Sequence, residues 1–308
     1  MDFLLQPMDF FISGTHISPL YLMGIGFVVG ILGGFFGVGG SFLAGPALFA
    51  VGMPMNYVVG TDLAHIVGKS IVAAAKHRTL GNVDFKLGMI MVIGTIAGVE
   101  TGAQGIQRLK RLHNVDLVVG IGFIIVLVSI SAFVAWESWR TLKMPKKPGK
   151  QLKEDRTSFS SLSKRVHLLH LPPMISLPNS GIDGVSLWVI LAVAYVGGVM
   201  SGLLGGGAGY IRMPSMVFIL GVPTHVAVGT DLFEIIISAS YGTLTHAVKG
   251  NVDILVALVM HTGAAVGAQI GATMTENFSG PRIRLAFAPL PLIGAGLVIY
   301  SLMTGHHF

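Results

Sequence analysis

The chain has no cysteine, which excludes disulfides, thiolate metal sites and cysteine nucleophiles and leaves the redox compartment unread. Charge is also scarce. Charged residues make up 11% of the 308, where a soluble domain carries about 25%. The first residues, Met1 to Pro19, include Asp2 and Asp9 but no Lys or Arg, so the basic start of a cleaved signal peptide is missing. No HExxH pattern occurs among the His residues. Gly68-Lys69-Ser70 is not the end of a phosphate-binding loop, because the earlier Gly would stand at position 63, which is Leu63, and no strand precedes it. The expectation is therefore no catalytic residue, no cofactor, no resident metal and no nucleic-acid partner. The formal charge of +6 comes from basic residues that flank apolar segments, as membrane flanks do.

What is present is apolar sequence. Hydrophobic residues make up 52% of the chain and the mean hydropathy is +0.75. Several stretches approach the ~20 residues that cross a bilayer as helix, and the short alternating segments of a β-barrel are absent. The class read from this is an all-α polytopic integral membrane protein. In the first half the apolar segments fall at 19–36, 41–51, 57–75, 85–104 and 115–139, and in the second at 185–204, 210–220, 226–248, 254–275 and 283–303.

The two halves repeat each other. Gly60-Thr61-Asp62-Leu63 recurs at Gly229-Thr230-Asp231-Leu232, and Gly81-Asn82-Val83-Asp84 recurs at Gly250-Asn251-Val252-Asp253, both at an offset of 169 residues. A period this long is not that of a solenoid. It suggests an internally duplicated transporter with a site between its halves. The reading is an N-terminal transmembrane repeat (1–139), a basic polar linker loop on the cytoplasmic side (140–183) and a C-terminal transmembrane repeat (184–308), with about four membrane segments per repeat and 7–8 spans in all. The pieces at 41–51 and 210–220 are too short to span, so they read as Gly-broken or re-entrant half-helices. Such backbone survives at membrane depth only where protein or a water-filled cavity covers it.

The basic residues leave the topology open. If 140–165 faces the cytoplasm, one span separates it from the turn with Arg108, Lys110 and Arg111, and the same conflict arises at Arg282 and Arg284. Four crossings per half give parallel repeats; three or five give inverted ones.

The candidate site follows from the breaks. Gly39, Gly40, Gly207 and Gly209 stand where a helix must stop and restart, and the N–H groups of a restarting helix suit an anion. The plainer alternative is close helix packing through small residues. Ser41 and Tyr210 occupy the two restart positions. Arg212, opposite Leu43 in the other repeat, suits an oxyanion with several acceptor oxygens. Asp62 and Asp231 are ionisable groups between apolar runs and are functional by default, with helix N-capping as the competing role. Asp62, His65 and Lys69 share one helical face, and Asp231, Glu234 and Ser238 share the matching one. Opposite signs invite pairing of Lys69 or His65 with Glu234. A His titrates near neutral pH, so His65 and Glu234, with the two Asp, are candidates for proton coupling or for site ion pairs. His77 and His246, before the repeated Gly-Asn-Val-Asp, read as interfacial turn residues. Glu100 and Gln104 share a face with Gly98 and Gly102, where small-residue packing is expected.

Taken together, these residues resemble a known family. The break at Gly39-Gly40-Ser41 leading to Pro46, then Gly-Thr-Asp-Leu, then Gly-Asn-Val-Asp, all duplicated, resembles the TauE/SafE sulfite exporters over 30–105 and 199–273. The resemblance implies seven or eight spans and secondary transport of small sulfur-containing anions, such as sulfite or organosulfonates, across the cell inner membrane, most simply as an exporter. It implies a sulfur oxyanion as substrate, coupling protons and the lipid bilayer as partners. Rival readings are a proton-coupled transition-metal cation transporter using Asp62, His65, Asp231 and Glu234, an intramembrane enzyme, and a non-transporting membrane subunit.

Overall fold

The structure is a computed structural model, and it describes residues 7–111, 115–143, 163 and 171–304. Seven helices among the described residues are long and apolar enough to cross a membrane: Pro19–Phe36, Met55–Thr79, Phe85–Arg111, Val115–Arg140, Leu187–Leu204, Ile254–Asn277 and Gly280–Thr304. The chain is all-α and polytopic, as its composition implies. Two short hairpins are its only strands among the described residues.

The first hairpin, β1 (Met8–Phe10) and β2 (Thr15–Ile17), leads into α1 (Pro19–Phe36). Pro19 starts α1 with its fixed φ, and Gly37 (φ 72) ends it in the left-handed region that Gly tolerates. The short α2 (Ser41–Ala50) folds back, so that the Tyr21 hydroxyl at the start of α1 donates to Ala47 O near the end of α2. Together α1 and α2 begin and end on one face. Then α3 (Met55–Thr79), α4 (Phe85–Arg111) and α5 (Val115–Lys143) cross in turn. Asp116 Oδ1 accepts from Met55 N at 2.8 Å, which puts the starts of α3 and α5 on the same face.

The second half opens with the hairpin β3 (Met174–Leu177) and β4 (Ile182–Ser186), then α6 (Leu187–Leu204), α7 (Gly209–Ser215) with a π turn at Met216–Leu220, α8 (Thr224–Val248), α9 (Ile254–Met274), α10 (Gly280–Phe287) and α11 (Leu290–Thr304). Three expectations change here. The segment at 140–183, read as a loop, ends in the β3–β4 hairpin, and α5 extends to Lys143; residues 144–162 lie outside the described residues. The segment at 283–303 is two helices meeting at Ala288 and Pro289. The half-helix at 210–220 changes from α to π geometry just after Pro214, which has no N–H to give its turn.

The halves are assembled by exchange. Gly26, Gly30 and Gly34 of α1 lie on the carbonyls of Met260, Ala264 and Ala268 of α9; Gly94, Gly98 and Gly102 of α4 lie on those of Leu191, Tyr195 and Val199 of α6. A Cβ at any of these positions would collide with backbone, so the small residues let the helices touch main chain to main chain. Both pairs rise in step and therefore run parallel. By contrast α3 and α8, which begin and end 169 residues apart, run antiparallel: Thr61 near the start of α3 meets Asp253 just after α8, and Thr230 meets Asp84 just after α3. Corresponding helices of the two halves thus point in opposite directions. The same geometry resolves the basic turns. The end of α9 lies beside the end of α1, where Thr275 Oγ1 donates to Phe35 O, so Arg282 and Arg284 share a face with the end of α5 and the linker. The Arg108–Arg111 turn lies on the opposite face.

Candidate transport site

The repeated motifs interlock across the halves. Asp253 N donates to Thr61 Oγ1 and Asp84 N donates to Thr230 Oγ1, each at 2.9 Å. Gly60 and Gly229 carry no side chain because the carbonyls of Asn251 and Asn82 occupy the place where a Cβ would be. Each capping carboxylate is also held by the hairpin that precedes the other half. Ser180 Oγ donates to Asp84 Oδ2 at 2.6 Å, and Ser13 Oγ to Asp253 Oδ2 at 2.7 Å. The other oxygens do cap helices: Asp84 Oδ1 accepts from Leu87 N, and Asp253 Oδ1 from Leu255 N and Val256 N. His77 and His246 are buried and bond Gly34 O and Gly202 O, which joins α3 to α1 and α8 to α6. These residues fasten the frame.

The two breaks meet inside it. Gly37, Gly39 and Gly40, and Gly205, Gly206 and Gly207, all have positive φ, as does Ala208, the one such non-Gly residue among those described. A Cβ on Gly209 would lie 2.6 Å from both Val38 Cα and Asp231 Oδ2. Ile66 of α3 packs against Gly39 and Gly207 together, marking the point where the breaks converge. The Ser41 side chain lies outside the described residues. Gly40 caps the ten-residue α2, whereas α7, which begins at Gly209, has only seven residues before its π turn and offers little dipole.

Charge gathers beside the breaks. Arg212 is 0% exposed, with its stem laid on Gly197. Its Nε donates to Asp231 Oδ1 at 2.8 Å, and Nη2 stands 2.7 Å from Glu234 Oε2, near enough to pair but not aligned as a hydrogen bond. Ser238 Oγ donates to Glu234 Oε2 at 3.1 Å. On α3, His65 Nδ1 lies 3.5 Å from Asp62 Oδ1 and 3.4 Å from Lys69 Nζ, all three being buried. Tyr210 is close enough to feel both Asp62 and Arg212, so the two clusters adjoin.

Several sequence expectations are corrected. Glu234 pairs with Arg212 of its own half and not with Lys69 or His65. Asp62 and Asp231 do not cap helices, because α3 and α8 start at Met55 and Thr224, more than a turn earlier. Arg212 is buried and already doubly paired. Among the described residues no three His, Asp or Glu groups gather where a metal could be held, so Asp62, His65, Asp231 and Glu234 are not one ligand set. The sequence reading also missed His261 of α9, whose ring fills the place of a Cβ on Gly68, and Thr95, which stands beside Glu234. A His in an otherwise apolar span was the available signal for the first. Thr95 left none.

Comparison with known proteins agrees with this architecture. Residues 22–298 match the family model described as sulfite exporter TauE/SafE. The probable membrane transporter protein YunE of Bacillus subtilis (strain 168) is 25% identical over 297 residues, covering 94% of this chain and 100% of the relative. YjnA of the same organism, also described as a probable membrane transporter protein, is 25% identical over 280 residues, 90% of this chain and 95% of its own. A probable membrane transporter protein of Methanocaldococcus jannaschii, MJ0441, is 32% identical over 116 residues, 33% of this chain and 42% of its own. No solved structure matches the chain.

Proposed function

The chain belongs to the sulfite exporter TauE/SafE family of membrane transporters, and from that premise we propose that it exports a small sulfur-containing anion, sulfite or an organosulfonate, across the cell inner membrane. The anion would pass between the two Gly breaks, beside the buried cations Lys69 and Arg212. Asp62, His65, Asp231 and Glu234 would pair with those cations or carry coupling protons. The linker face, with Lys76, Arg78, Lys86, Arg282 and Arg284, would be cytoplasmic by its excess of basic residues.

One observation carries this reading. Asp62 Oδ2, His65 Nε2, Tyr210 Oη, Arg212 Nη1, Asp231 Oδ2 and Glu234 Oε1 are buried around the meeting breaks without a hydrogen-bond partner. Buried polar groups are almost always bonded, so a concentration of unbonded ones suits a polar solute in transit. The opposed directions of α3 and α8 support alternating access, since inverted halves can rock about a fixed central site. In proteoliposomes loaded with sulfite, the purified chain should release it faster than empty vesicles do, and Gly207→Val, which forces a branched side chain onto a positive φ against Ile235, should stop the release. Flux of divalent metal without flux of sulfite or sulfoacetate would replace the anion reading with the cation one.

A further inference from the structure

Arg212 and Lys69 are both buried, but only one of them is already neutralised. Arg212 meets two carboxylates, Asp231 and Glu234, which makes that cluster negative overall when both acids are ionised. The charge of Arg212 is thus already met by carboxylates before any anion enters. With its stem on Gly197 of α6 and its head on α8, Arg212 instead ties α7 to two long helices. Lys69 is 1% exposed, yet it makes no ion pair among the described residues. Among the described residues its one hydrogen-bond partner is His65 Nδ1 at 3.4 Å, while the Asp62 carboxylate lies against the His and not the Lys. Burying a cation with no carboxylate in contact is costly, and an anion would supply that contact.

The surroundings fit an anion as well. Lys69 lies one helical turn beyond Ile66, the residue packed against both breaks. His65 Nε2 is buried without a partner among the described residues. His261 stands beside the same turn at Gly68, and its Nδ1 is also without a partner.

Resting on the anion-transport reading above, we infer that Lys69 is the residue that meets the charge of the transported anion, with His65 and His261 flanking it, and that Arg212 holds the second half-helix in place. The test measures sulfite and sulfoacetate binding to the full chain in detergent, by calorimetry under anaerobic conditions, with size exclusion to confirm folding. Lys69→Met should weaken binding about tenfold or more, and Lys69→Arg should stay within about threefold of the unchanged chain. A loss under about fivefold in Lys69→Met, or a loss in folded Lys69→Arg as large as in Lys69→Met, overturns the assignment. If the unchanged chain neither binds nor carries either anion, the transport reading itself falls and this assignment falls with it.

Discussion

α3 and α8 are 25 residues long, start after Pro54 and Pro223, and carry the same Gly-Thr-Asp-Leu, yet they handle buried charge in opposite ways. On α8 two acids close on one arginine from the neighbouring half-helix. On α3 a lysine and a histidine share one acid, and the lysine does not touch it. Of the residues common to both helices, Gly60 and Gly229, Thr61 and Thr230, and His77 and His246 fasten neighbouring backbone, while Asp62 and Asp231 enter the charged clusters. The residues that differ, His65 against Glu234 and Lys69 against Ser238, decide where charge is left over. The matching residues thus form a symmetric clasp, and those that differ make an asymmetric interior.

The contrast can be broken most directly through the two cations. Arg212→Met strands two buried carboxylates and should cost about 3–5 kcal/mol, whereas Lys69→Met removes a buried charge that touches no carboxylate and should leave thermal stability without anion unchanged or higher. Equal losses in the two melting curves would abolish the distinction. The clasp comes next, where the halves should behave alike. Gly60→Leu and Gly229→Leu each press a side chain onto a carbonyl that cannot retreat, costing about 3 kcal/mol, the upper end for overpacking; yield of monodisperse protein measures it, and a tolerant half would show that the clasp is one-sided. Thr61→Val and Thr230→Val leave the buried N–H of Asp253 or Asp84 without an acceptor, worth about 2 kcal/mol each by thermal unfolding. The smallest effect should split the halves again. Ser180 is fully buried and Ser13 only half-buried, so Ser180→Ala should lose about 1.5 kcal/mol and Ser13→Ala less, since water can replace the latter. Protection of the Leu87 and Val256 amides from hydrogen exchange reports each locally.

Much of this architecture was legible in the chain, because it depends on local rules. Pro19 and Gly37 bound α1 at the residues where the apolar run begins and ends, and the short runs between Gly and Pro could only be half-helices. What stayed hidden was partnership over distance. Thr61 and Asp62 look like a cap from the residues beside them, and only the fold reveals that Thr61 serves Asp253 of the other half. Glu234 has two candidate cations on another helix, and sequence spacing favoured them over Arg212, whose approach depends on Gly197 leaving room for its stem. The β3–β4 hairpin was masked by a basic and proline-containing stretch, and the contact that ties it down, Ser180 to Asp84, reaches 96 residues back.

The exchange of α1 and α9 also governs how the protein is made. The ribosome releases α1, with its stripe of bare glycines, long before α9 exists to cover it. Thr61 likewise waits for the turn at Asp253, and β1–β2 for the carboxylate it latches. Contacts so distant along the chain form slowly. During synthesis the first half is therefore an open clasp until α9 slides in next to α1, and α10 and α11 then close on α2 and α5. Truncation anywhere before α9 would leave α1 without its groove partner.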